Sequence, residues 1–93
     1  MQDLYDQIAE KIVAQQELVI GPIAIERAKE VSDLNIDWNN HTIGVKGDPK
    51  RAIDHLVGQY EELFGQVAVD TCREATNKYI AQLSPDQIPQ SLR

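Results

Sequence analysis

Between residues 34 and 45 the chain abandons the helical spacing of its apolar residues for alternation. Leu34, Ile36 and Trp38, and then His41, Ile43 and Val45, occupy every second position, the period at which side chains leave a strand toward one face. Asn39-Asn40 lies between the two runs and can adopt the positive φ angles of a two-residue turn, so the stretch is predicted to form a β-hairpin. Closing it at Trp38 and His41 pairs Ile36 with Ile43 and Leu34 with Val45. All six side chains then share one face, while Asn35, Asp37 and Thr42 take the other. Two strands alone are marginal in water, so the apolar face must lie on helices or on another chain's strands.

The flanking sequence supplies helices. Leu4, Ile8, Ile12 and Val19, with Tyr5, Ala9 and Val13, recur at helical spacing opposite Asp6, Glu10, Lys11, Gln15 and Gln16, which predicts an amphipathic helix over about 3–18. Gly21-Pro22 interrupts it, and the pattern restarts over 23–31. Asp48-Pro49 pairs an N-cap acceptor with a proline suited to the first helical position. The third helix should bury Ala52, Ile53, Leu56, Val57, Tyr60, Leu63 and Phe64. A fourth, over about 66–83, should bury Ala68, Cys72, Ala75, Tyr79 and Leu83. Ser84-Pro85-Asp86-Gln87 stops it and can cap one short turn. The expected fold is a mostly helical α+β domain: two N-terminal helices, a central hairpin and two C-terminal helices. It forms one small globular domain over 1–84, followed by a loosely ordered tail over 85–93.

Bulk properties exclude whole classes of function. The 93 residues carry 15 Asp and Glu against nine Lys and Arg, a net charge of −6, and that field repels phosphate backbones and anionic membranes. Neither nucleic acid nor membrane is an expected partner. The order of helices, hairpin and helices invites a winged-helix reading, but the tip, Asp37 to His41, has no Lys or Arg to grip DNA. The longest nearly apolar run, Leu18 to Ile25, falls far short of the ~20 residues that cross a bilayer. One cysteine allows no internal disulfide, and the first residues lack a targeting pattern, so the chain is expected to be cytoplasmic.

No catalytic constellation is assembled, and an enzyme is not expected. Cys72 lies on an apolar stripe and reads as a buried thiol. Ser32, Ser84 and Ser91 sit at element ends where capping explains them, and Glu61-Glu62 lies on a solvated face. His41 and His55, even with Asp37, Asp48 and Asp54, match no metal-ligand spacing, so no metal or cofactor is expected.

Two local departures from the average remain. Lys46-Gly47-Asp48-Pro49-Lys50-Arg51, with His55 one turn on, gathers cations at a predicted helix start; Lys46, Gly47, Lys50, Arg51 and His55 form a possible site for a phosphate- or carboxylate-bearing small molecule. The second is Leu18 to Ile25, apolar on every side. Val19, Ile20 and Ile25, together with Trp38 at the hairpin tip, form a possible interface with a protein partner or a second copy of the chain. The leading expectation is a non-enzymatic interaction or regulatory module that self-associates, a homodimer being one such form; the alternative is an anion-binding domain.

Overall fold

The computed structural model describes residues 3–93; Met1 and Gln2, where the expected domain and the untargeted N-terminus begin, lie outside them. Helices α1 (Leu4–Ile20) and α2 (Ile23–Lys29) precede strands β1 (Leu34–Asp37) and β2 (Thr42–Val45), and helices α3 (Pro49–Phe64) and α4 (Gln66–Ile80) follow. The mostly helical α+β architecture and its element order are those the hydrophobic periods predict. α1 extends two residues beyond the predicted end, while α2 and α4 stop short of Val31 and Leu83, each closing with looser turn bonds.

The hairpin register agrees with the alternation: Leu34 pairs with Val45 and Ile36 with Ile43. The turn does not have the predicted form. Trp38–Asn40 make one 3-10 turn, and the positive φ, 54°, falls on His41 and not on Asn39 or Asn40. A helical turn ended by one left-handed residue closes a loop one pair wider with the same register, because it follows the natural twist of the strands. His41 is thereby turned out to solvent and leaves the buried face, although its ring still meets Trp38 edge-on at 4.8 Å.

Packing explains which residues of each stripe are buried. α1 lies across α4, β2, α2 and α3 and buries Ile8, Ala9, Ile12, Val13 and Gln16. Advancing 100° per residue, the buried face continues through Gln16 to Val19 and Ile20; Val19 shares the bearing of buried Ile8 and Ile12 and is exposed because it lies in the last turn, beyond the packing that covers those two. As a polar residue Gln16 is expected on the solvated side, yet it is 1% exposed. Its amide is satisfied: Nε2 donates to the Ala68 carbonyl (3.1 Å) and to Cys72 Sγ (3.3 Å). On α3 the predicted stripe is buried from Ala52 to Tyr60 but not at Phe64; on α4, Val69 and Thr76 join Ala68 and Cys72 in the core. The Thr76 hydroxyl is satisfied by the Cys72 carbonyl at 2.8 Å. Tyr60, fully buried, donates its hydroxyl to the Ala24 carbonyl at 2.7 Å and ties α3 to α2.

Segment 85–93, expected to be loose, is seated on α3 and α4. Pro85 opens one 3-10 turn and Pro89 precedes another, positions where a missing N–H costs nothing. Leu92 is 5% exposed. The Ser91 amide and hydroxyl both bond Asp54 Oδ1, at 2.9 and 2.6 Å, and Tyr5 donates to the Gln87 carbonyl at 2.7 Å. Leu92→Ala should therefore lower the unfolding free energy by about 2–3 kcal/mol in urea titrations; an unchanged midpoint would show that the segment contributes nothing.

Candidate functional site

The predicted cationic corner is built around the start of α3. Asp48 Oδ1 accepts the Lys50 amide at 3.0 Å, the cap the Asp-Pro pair implied. Lys50, Arg51 and His55 then line one hollow of about 370 Å³ with Asp48, Asp54, Ile88, Gln90 and Arg93. Lys46 and Gly47 do not line it: the Lys46 amide closes the hairpin base on the Asp33 carbonyl at 2.8 Å. Lys50 Nζ donates to the Asp86 carbonyl at 2.8 Å, and Arg93 to the carbonyls of Ile88 and Pro85, both at 3.2 Å. Neutral carbonyls fix these cations, while Asp48 and Asp54 share the hollow and the nearby Asp86 carboxylate, held below its ordinary value first by the Ser84 hydroxyl, is also drawn down by Lys50 and Arg93. Among the described residues, the ion pairs involve none of Lys50, Arg51 and Arg93. His55 differs, since Asp33 holds its Nδ1 at 2.9 Å. Arg93, distant in sequence, carried no signal that could have placed it here.

The predicted apolar surface divides. Ile25 is half-buried against the core and does not belong to an open face. Val19 and Ile20 line a groove of about 320 Å³ with Gln16, Phe64, Val67, Ala68 and Thr71. Exposure is 60% at Val19, 53% at Phe64 and 72% at Val67, so large apolar side chains from α1, α3 and α4 meet at one end of the molecule. Two glycine corners bring them there. Gly21 and Gly65 have φ of 82° and 68°, a left-handed conformation that strains other residues, and their amides close the preceding helices on Glu17 and Glu61. Phe64 and Val67 were missed as surface residues. Val67 could have been found, since it lies off the 68, 72, 75, 79 stripe.

Trp38 sits on a different side of α1. It is half-buried, and its indole Nε1 donates to Glu17 Oε1 at 3.3 Å. With His41 and Tyr79 it bounds a hollow of about 510 Å³ whose floor is the α1 face of Gln7, Glu10, Lys11, Ala14, Glu17 and Leu18.

The other candidates reduce to structure. Ser84 and Ser91 bond Gln87, Asp86 and Asp54 at the turns of the C-terminal segment. No group of three or more His, Cys, Asp and Glu among the described residues is arranged to hold a metal ion. Likewise, no helix among them is long and apolar enough to cross a membrane. Cys72 is buried, and burial pushes its thiol up to about 11, with the Gln16 hydrogen bond a smaller opposing influence. At neutral pH the group is a thiol, not the thiolate that nucleophilic chemistry needs. Because the folded thiol ionises later than the unfolded one, whose ordinary value is 9.0, its stability contribution is complete below about pH 9 and is lost as pH rises toward 11. Urea titrations should show a loss of about 2 kcal/mol over that window, with a shallower fall in Cys72→Ala. Burial also raises the Tyr60 phenol, so some slope should persist in that variant.

No protein-family model matches the chain, no curated protein matches it, and no solved structure matches its fold.

Proposed function

We propose that this chain is a non-enzymatic interaction module that associates with a second copy of itself through the corner of Val19, Ile20, Phe64 and Val67. The reading rests on one observation: three large apolar side chains more than half exposed around a single groove. Monomeric proteins seldom leave such surface in contact with water without a use for it. The lining contains no charge, only the neutral Gln16 and Thr71 as polar residues, so an apolar occupant loses no ionic solvation on docking. A second copy presents both the groove and the projecting Phe64 and Val67, as a two-fold contact requires. Val19→Asp and Val67→Glu, both at exposed positions, should leave the fold intact and raise the dimer dissociation constant at least tenfold, roughly the effect of losing one buried aliphatic side chain. Sedimentation velocity across a concentration series measures this; a strict monomer at millimolar concentration overturns the reading.

A second reading, small-anion binding at the start of α3, is favoured by the convergence of Lys50, Arg51 and Arg93 on one hollow, where they outnumber the carboxylates of Asp48 and Asp54. Inorganic phosphate and nucleotides should then shift the Gly47 to Arg51 amide resonances, and Arg51→Ala should abolish the shift. Unmoved resonances dismiss it.

A further inference from the structure

The hollow beside Trp38 differs in chemistry from both surfaces above. At about 510 Å³ it falls within the size range of sites that enclose a ligand or an inserted side chain. Its walls are Trp38, Tyr79, His41, Leu18 and Ala14, and its charges are two carboxylates, Glu10 and Glu17, against the single ammonium of Lys11. The Glu17 carboxylate accepts the neutral indole N–H, and no ion pair among the described residues includes it. The indole is already held, by Glu17 at one edge and by the perpendicular His41 ring 4.8 Å away, so little side-chain freedom remains to be lost on binding.

We propose that this hollow docks a basic segment of a partner protein, which places a lysine or arginine side chain among the Trp38, His41 and Tyr79 rings with its cation toward Glu17. Two features favour a cation on an apolar stem over the alternatives. Aromatic faces attract cations, and more strongly when water is excluded, while the stem packs on Leu18 and Ala14 as long basic side chains do elsewhere. An acidic segment meets Glu10, Glu17 and the overall charge of −6, and a wholly apolar one strips water from a carboxylate and brings no opposite charge in its place. The net charge also draws basic partners from a distance.

Trp38 is the one tryptophan of the chain, so its emission reports on this hollow directly. The probes are two synthetic peptides of equal length, one alternating leucine with lysine and the other leucine with glutamate, titrated into the full chain at low and moderate salt. The basic peptide should shift the emission saturably and bind more weakly as salt screens the contact; the acidic peptide should leave it unchanged. Glu17→Gln should weaken binding about fivefold, the scale of one partly buried charge contact, and Lys11→Gln should tighten it by a smaller factor. Glu26→Gln removes an equal charge from an exposed position on α2 and should change little. Val19→Asp, in the other groove, should also leave the emission titration as it was, which separates this site from self-association. The proposal fails if the acidic peptide gives an equal response, or if Glu26→Gln weakens binding as much as Glu17→Gln. Lys11 is exposed, so its variant keeps the test decisive even if Glu17→Gln misfolds: no tightening counts against the site.

Discussion

A two-stranded sheet leaves a row of backbone amides on each strand without a strand partner, and on β2 that row is taken up by helix α1. Asp6 Oδ1 accepts the Val45 amide at 2.9 Å and Glu10 Oε2 the Ile43 amide at 3.0 Å. The spacing is what makes this possible. Residues two apart on a strand present amides about 6.6 Å apart on one edge, and side chains four apart on a helix face lie one turn, about 5.4 Å, from each other. Two carboxylates one turn apart can therefore meet two amides of the same edge. The hairpin gains the lateral partner it lacks, and an edge that would otherwise invite a foreign strand is closed. Bonds from neutral amides to ionised carboxylates are also the stronger kind.

With α1 committed to β2 along its first turns and to α4 along its other side, the surfaces left over are largely decided. α4 packs beside it, Gln16 meeting Ala68 and Cys72 while Lys11, Ala14 and Leu18 share a hollow with Ala75 and Tyr79. Leu18 turns to the outer face of α1 and Val19 lies at the open end of its buried face, 81% and 60% exposed. The outer face opens toward Trp38 and Tyr79, where carboxylates and aromatic rings mix. The end of the buried face opens toward Phe64 and Val67, where no charge intrudes. The outer face of one helix and the uncovered end of its buried face thus offer two chemically distinct surfaces, and the C-terminal segment supplies a third by carrying Arg93 back to the start of α3.

The parts legible from residues alone were those governed by local periodicity. Alternation in 34–45 specifies a register because a one-residue slip would turn Leu34, Ile36, Ile43 and Val45 to the wrong face. Asp48-Pro49 marks a helix start because its cap and its fixed φ act within one turn. What remained hidden involved partners remote in sequence. Asp6 and Glu10 look like any solvated face, since nothing near them reveals an amide thirty or more residues away. Gln16 reads as polar surface until the Ala68 carbonyl and Cys72 are brought to it. Phe64 continues an apolar stripe, yet α3 reaches past the body it packs on, and its last turn emerges into water.

The amino-acid sequence by itself determined the class and order of the elements, the pairing of the strands and the cap of α3, because each depends on interactions within a few residues or on a repeat the chain carries along its length. The tertiary structure alone decided which apolar residues stay exposed, which cations share a hollow, and that the Glu17 carboxylate meets the Trp38 indole. Such juxtapositions depend on how helices cross and where glycine corners turn them, and a periodic pattern specifies only which face of an element is buried, not what it meets.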